Sequence, residues 1–241
     1  MTTATHSYLI SDLHLSPERP DIAKAFLTFM TERASSAEQL FILGDLFEYW
    51  IGDDAAQMVG AEPILQIMKA VSTNTRCYFI AGNRDFLVRQ QFEQASGFKI
   101  LADETTVDLY GTQTLLLHGD SLCTDDIEHQ KFRASMTTNE EFCSQFLALP
   151  IPQRIETAKK ARMASSEHKS QVTEGIMDVT TSAVERAFVE HNVTQMIHGH
   201  THRQNTHDHN GNIRYVLGDW DKTTSVMTAN SDGITIENTP I

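Results

Sequence analysis

The chain has 241 residues, 40% of them hydrophobic, and 32 acidic against 19 basic side chains give it a net charge of −13 at neutral pH. That is enough apolar material for one large domain, with or without an insertion. So acidic a chain gains nothing from counterion release on a polyanion, which excludes general nucleic-acid binding, and it lacks the charge of a polybasic membrane anchor.

Residues 8–10 read as a short strand. Ile22, Phe26, Phe29 and Met30 then recur on one helical face. Residues 40–43 form a second apolar strand, Ile64, Leu65, Met68 and Val71 mark a second helix, and residues 77–80 form a third strand. This β-α-β-α-β alternation predicts a layered α/β fold. Residues 115–117 and 196–197 read as further strands. Beyond residue 205 the pattern turns to hairpins, with Asn210-Gly211 and Asp232-Gly233 as turns flanked by strands at 214–217 and 234–236.

The segment from about 121 to 178 is different. It reads as mostly helical, carries Phe132, Met136, Phe142, Phe146, Leu147 and Leu149, and holds a basic run of Lys159, Lys160 and Arg162. We read it as a helical insertion on the sheet scaffold of a single domain. Three cysteines, Cys77, Cys123 and Cys143, are no disulfide framework and suit a reducing compartment. The first six residues have no basic stretch and no apolar core, so no signal peptide is expected. No apolar run approaches the roughly 18 residues that span a bilayer.

Polar residues collect where these strands end. Asp12 and His14 follow the first, Gly44-Asp45 the second, Gly82-Asn83 the third, His118 the fourth, and His198-Gly199-His200-Thr201-His202 the fifth. In α/β sheets, ligands bind in the crevice outside the carboxyl ends of strands. Any one of these pieces alone is an ordinary turn or helix cap. Their ordered recurrence after five apolar strands points to a shared rim.

Imidazoles, carboxylates and one amide oxygen, without thiolate, suit hard-to-borderline divalent metals; Mn(II) or Fe(II) fit best, with Zn(II) open. Seven donors exceed one tetrahedral ion and suit two ions sharing a carboxylate, the arrangement that activates water for phosphoryl transfer. A bound metal also reverses the local field of an acidic chain, so a phosphorylated substrate is not excluded. His198, inside its turn, is expected to support the ligands. His6, His129, His168, His191, His207 and His209 lack the strand-end placement and are read as surface or structural histidines.

The pattern Asp12-x-His14, Gly44-Asp45, Gly82-Asn83, His118 and Gly199-His200-x-His202 resembles the calcineurin-like metallophosphoesterases. Longer strings, SDLHL at 11–15, GDLFEYWIGDD at 44–54, AGNRDF at 81–86, LHGDSLCTDD at 117–126, FLALP at 146–150, EGIMDV at 174–179 and IHGHTHR at 197–203, are similar to the UDP-2,3-diacylglucosamine hydrolase family within that group. The resemblance implies two packed mixed β-sheets flanked by helices, with the 121–178 insertion as a lipid-binding cap.

It implies two Mn(II) ions, one on Asp12, His14 and His202, the other on Asn83, His118 and His200, with Asp45 bridging. These seven would be the catalytic set. It implies substrate contacts from Asn83, Arg84, Asp126, Arg162, Ser165, Lys169 and His200, and an acyl lining drawn from Phe86, Phe132, Phe142 and Phe146. Where most relatives of the wider group have Gly-Asn-His, this chain has Arg84, whose planar fork suits a diphosphate. The alternative for Arg84 is a surface pair with Asp85. The family often has a Lys where this chain has Val172, which leaves Lys169 to carry that charge.

The implied reaction is attack on the α-phosphorus of UDP-2,3-diacylglucosamine by a hydroxide held between the two ions, giving UMP and 2,3-diacylglucosamine 1-phosphate (lipid X). The implied setting is peripheral contact, as a monomer, with the cytoplasmic side of a bacterial inner membrane. A different metallophosphoesterase activity is the rival reading. A non-catalytic scaffold of the same fold would have lost ligands, and all seven are present.

Overall fold

The computed structural model describes residues 5–171 and 176–241, with only the helical backbone at 164 and 166–171. The β-α-β rhythm runs through β1 (Ser7–Ile10), α1 (Pro20–Glu32), β2 (Gln39–Leu43), α2 (Glu62–Val71), β3 (Arg76–Ile80), α3 (Gln90–Ser96) and β4 (Lys99–Ile100). These four strands pair in parallel, in chain order. The sheet is completed by β10 (Thr223–Asn230), antiparallel to β1, and β11 (Gly233–Pro240) on its far edge.

A second sheet contains β5 (Glu104–Leu109), β6 (Thr112–Leu117), β7 (Gln195–His198), β8 (Asn205–His209) and β9 (Asn212–Val216), in the order β5-β6-β7-β9-β8. It too is mixed, with β6, β7 and β9 parallel and hairpin partners at both edges.

Period-two alternation explains the layering. Leu9, Phe41, Leu43 and Ile80 point from the first sheet toward Leu116, Ile197 and Leu217 of the second, and these form one cluster between the sheets. Ile10, Leu40, Ile42 and Phe79 point the other way, onto Phe26, Phe29 and Met30 of α1 and Ile64 and Met68 of α2. On the outer face of the second sheet, Leu115, Leu117 and Met196 meet Val184, Ala187 and Phe188 of α7 (Thr181–Glu190). Strands buried on both faces carry unbroken apolar runs, which is why 40–43 and 115–117 show no alternation in hydrophobicity. The result is helix, sheet, sheet, helix.

Between β6 and α7 the chain is helical. It passes through a 3-10 turn at Asp120–Leu122, α4 (Ile127–Phe132), a π-helical turn at Arg133–Thr137, α5 (Glu140–Leu147) and the long α6 (Ile151–Gln171). Asp126 caps α4 by accepting from the His129 N–H at 3.0 Å, and Asn139 caps α5 by accepting from the Phe142 N–H at 3.0 Å. Phe142, Cys143 and Phe146 of α5 pack into the same cluster as Trp50 and Ile51. Arg154 of α6 is buried and donates to the Ile51 carbonyl at 2.6 Å and to Asp54 at 2.8 Å. These contacts fasten the helical segment to the loop that follows β2. Among the described residues, no helix is long and apolar enough to cross a membrane.

Candidate active site

The loops after β1, β2, β3, β6 and β7 open on the same rim, and they bring all seven predicted donors together. His14 Nε2 and His202 Nε2 stand 3.4 Å apart, and His202 Nε2 lies 3.3 Å from Asp12 Oδ1. Asn83 Oδ1 sits between His118 Nε2 at 3.1 Å and His200 Nδ1 at 3.0 Å. Asp45 lies between these groups, with Oδ1 3.6 Å from His118 Nε2 and Oδ2 4.0 Å from His14 Nδ1. Asp12, His14 and His202 converge closely enough to share one ion, as do Asp12, Asp45 and His118.

The backbone is bent to achieve this. Asp12, His14, Asp45, His200 and His202 all have φ between 51° and 65°. Non-glycine residues avoid that region, at a cost of order 1–3 kcal/mol each, unless their surroundings impose it. Glycine makes room at two close approaches: a Cβ on Gly82 would lie 2.2 Å from Asp45 Oδ1, and one on Gly199 2.2 Å from Asp12 Oδ2.

The electrostatics fit a cationic guest. Asp12 and Asp45 are buried carboxylates. Burial pushes the Asp12 carboxyl up, but His202 against it, with His118 and His14 near by, holds it well below the usual carboxylate range. Burial depresses His118, yet Asp45 and Asp12 raise it to about 9; His202 is raised to about 9 by Asp12 and Asp219 against the same burial effect. Burial pushes the Asp45 carboxyl up, with His118 and Arg84 opposing it; buried carboxylates set among imidazoles are an arrangement whose charge divalent cations can balance. Orientation is fixed from behind. His118 Nδ1 meets the Leu43 carbonyl at 2.9 Å, and His202 Nδ1 meets Asp219 Oδ2 at 3.3 Å, leaving each Nε2 aimed at the centre.

Four functional residues escaped the sequence reading. Asp219 follows β9 in a Gly-Asp step, the same signal that marked Asp45. Asp85 is fully buried and, far from pairing with Arg84, accepts the backbone N–H groups of Asp45, Leu46, Phe47 and Gly82 at 3.2, 2.7, 3.4 and 2.8 Å. Burial and the Asp45 charge push it up to about 7 against those donors. It ties the loop after β2 to the loop after β3. Asp85→Ala would strand four buried N–H groups, so it is expected to cost about 3–5 kcal/mol of stability, and Asp85→Asn about half that. Urea unfolding midpoints at pH 8 check this; equal midpoints for wild type and Asp85→Ala would show that the tie carries no load.

The third is Glu48, which bonds to Arg84 and Arg162. The fourth is His129, read from the sequence as a surface or structural histidine, which lines the cavity. It stands in the first turn of α4, its ring centroid 5.0 Å from that of His200, and its buried Nε2 has no hydrogen-bond partner among the described residues. His198 does support the rim from beneath, with Nε2 3.0 Å from the Arg214 guanidinium and Nδ1 2.9 Å from the Gly199 carbonyl.

Four of the donors, Asp45, Asn83, His200 and His202, line a cavity of about 540 Å³. Arg84, Asp126, Arg162 and Ser165 line it, as do Phe86, Phe132, Phe142 and Phe146. The side chain of Lys169, and Val172 altogether, lie outside the described residues. Cys123 also reaches the cavity, but burial pushes its thiol up to about 12, which leaves no thiolate nucleophile.

The family model for calcineurin-like phosphoesterases matches residues 6–204. Over 239 residues the chain is 43% identical to a UDP-2,3-diacylglucosamine hydrolase of Xanthomonas oryzae pv. oryzae, covering 95% of this chain and 96% of that one. It is 43% identical over 236 residues to a protein of the same name from Vibrio parahaemolyticus, covering 96% and 97% of the two chains. For the Stenotrophomonas maltophilia protein of that name the identity is 44% over 240 residues, covering 95% and 96%.

Proposed function

The chain belongs to the calcineurin-like phosphoesterase family, and we propose that it hydrolyses the diphosphate of UDP-2,3-diacylglucosamine at the α-phosphorus, releasing UMP and 2,3-diacylglucosamine 1-phosphate. One observation carries this reading. A single cavity joins Arg84 and four of the converging donors, Asp45, Asn83, His200 and His202, to a wall of four phenylalanines. A diphosphate at one end of a molecule and acyl chains at the other need those two surfaces in that order. The near full-length likeness to named hydrolases of this substrate supports it.

Asp12, His14 and His202 would hold one cation and Asn83, His118 and His200 a second, with Asp45 shared; Mn(II) suits this nitrogen and oxygen set. Once bound, the cations supply an acidified water and stabilise the charge that develops on phosphorus. The remaining work belongs to the chain. Arg84 meets Asp45 through Nε at 3.4 Å and Glu48 through Nη1, which leaves Nη2 to donate to phosphoryl oxygens. His200, part-buried and held well below its ordinary value by desolvation and by His118, would bind as a lone-pair donor. Phe142 and Phe146, stacked with centroids 6.0 Å apart, cover the acyl end and exclude water.

In this reading the helices of the cap also meet the membrane surface from the cytoplasmic side, the chain acting as a peripheral monomer. Exposed Ile127 on α4, Leu149 in the turn between α5 and α6, and Met163 on α6 support that contact. Of the basic run, Lys159 is exposed, Lys160 pairs with Glu156 at 2.7 Å, and Arg162 turns inward to Glu48.

The test is UMP release from UDP-2,3-diacylglucosamine by metal-stripped protein, with and without added Mn(II). The expected result is no release without metal and full turnover on adding Mn(II). Cleavage of a soluble phosphodiester but not of the acylated substrate would keep the metal site and discard the lipid assignment.

A further inference from the structure

Glu48 belongs to neither donor cluster, yet it stands at the junction of the two parts of the site. Its main chain is fixed on the body: the Glu48 N–H donates to the Leu15 carbonyl at 3.1 Å, beside an isolated parallel bridge between Leu15 and Phe47. Two residues on, the Trp50 N–H donates to the Arg84 carbonyl at 3.0 Å, which ties this loop to the one carrying Arg84. From that anchored position the side chain splits its two oxygens. Oε2 takes Nη1 of Arg84, from the loop after β3. Oε1 takes Nε and Nη2 of Arg162, from α6, each at 2.6 Å. All three side chains are partly or largely shielded from solvent, so the contacts are not a screened surface pair.

The geometry leaves donors to spare. Among the described residues, Arg84 keeps Nη2 and Arg162 keeps Nη1. Glu48 thus holds both guanidiniums at the cavity wall, with Asp45 as the second carboxylate against Arg84. Each fork is pinned through two of its nitrogens, and a pinned fork loses little freedom when an oxyanion docks. We propose that Glu48 is a positioning residue: it clamps Arg84 of the body and Arg162 of the cap into one preorganised receptor for the substrate's diphosphate, and it thereby fastens the cap over the metal rim. This rests on the reading of the substrate given above.

Steady-state kinetics on UDP-2,3-diacylglucosamine tests it, with wild type, Glu48→Gln, Glu48→Ala, Arg162→Ala and the double variant Glu48→Ala/Arg162→Ala. Glu48→Ala is expected to raise KM about tenfold and to lower kcat by less than about threefold, because the clamp orders binding groups and only one metal donor, His14 with Nδ1 3.9 Å from the Glu48 carboxylate, loses a neighbour. Glu48→Gln, nearly isosteric and still an acceptor, is expected to recover about half of that loss on a logarithmic scale. The double variant should be worse than Arg162→Ala alone by less than the full Glu48→Ala factor, since the part of the clamp that runs through Arg162 is already lost and only the hold on Arg84 remains. A purely structural role would instead lower the unfolding midpoint and metal content of both Glu48 variants without this KM split.

An unchanged or lowered KM for Glu48→Ala would overturn the proposal, the lowered value meaning that Glu48 competes with substrate for the arginines. Multiplying effects in the double variant would overturn it too. Wild-type protein that fails to release UMP brings down the substrate reading and this inference together, whereas normal wild-type turnover with an indifferent Glu48→Ala brings down this inference alone.

Discussion

Asp45→Ala is expected to reduce UMP release by roughly a thousandfold or more, a loss on the scale of the several kcal/mol that metal-assisted charge stabilisation supplies. The size follows from position. The two oxygens of Asp45 face both donor groups, His118 on one side and His14 on the other. Removing it takes a carboxylate from between two would-be cations and leaves His118 without the charge that most strongly raises it. Asp45 Oδ1 also accepts the Arg84 backbone N–H at 2.9 Å, so alanine loosens the loop after β3 as well. Asp45→Asn separates the two effects. An amide oxygen keeps the Arg84 contact but gives up the shared negative charge, so folding should be spared while turnover falls nearly as far. Metal content by mass spectrometry, alongside UMP release, reads both. Near-normal turnover in either variant would sink the two-metal reading.

How much of this was visible beforehand depends on whether a residue acts through its place in the chain or through its neighbours in space. The seven donors act through place: each directly follows an apolar strand, and the parallel order of β1, β2 and β3 brings three of those ends side by side. The central strands were legible for a related reason, since burial on both faces demands an unbroken apolar run. The polar edge strands were not. β5 reads Glu-Thr-Thr-Val-Asp-Leu and β8 Asn-Thr-His-Asp-His, half solvated and without an apolar run.

Glu48, Asp85 and His129 act through space. Nothing in the string distinguishes Asp85, which turns inward onto four backbone donors, from an exposed partner for Arg84. Nothing in the pattern of α4 says that His129 meets His200 rather than water. Asp219 is the exception, because its Gly-Asp step after β9 repeats a signal already in hand.

Arg84→Ala separates metal binding from substrate binding. The Arg84 main chain is held without its side chain: its N–H donates to Asp45 and its carbonyl accepts from Trp50. Alanine should therefore leave the loop, Asn83 and the bound metal in place. What disappears is a buried fork with an unspent donor facing the cavity, and charge-assisted contacts to phosphate of that kind justify a fall in kcat/KM of about a hundredfold. Arg84→Lys should recover only part of this, because an ammonium brings the charge without the two-pronged geometry. A soluble phosphodiester, with one phosphate to hold, should lose less than the diphosphate substrate in the same variant. If Arg84→Ala instead loses metal, and both substrates suffer alike, Arg84 is a structural counter-charge for Asp45 rather than a grip on the diphosphate.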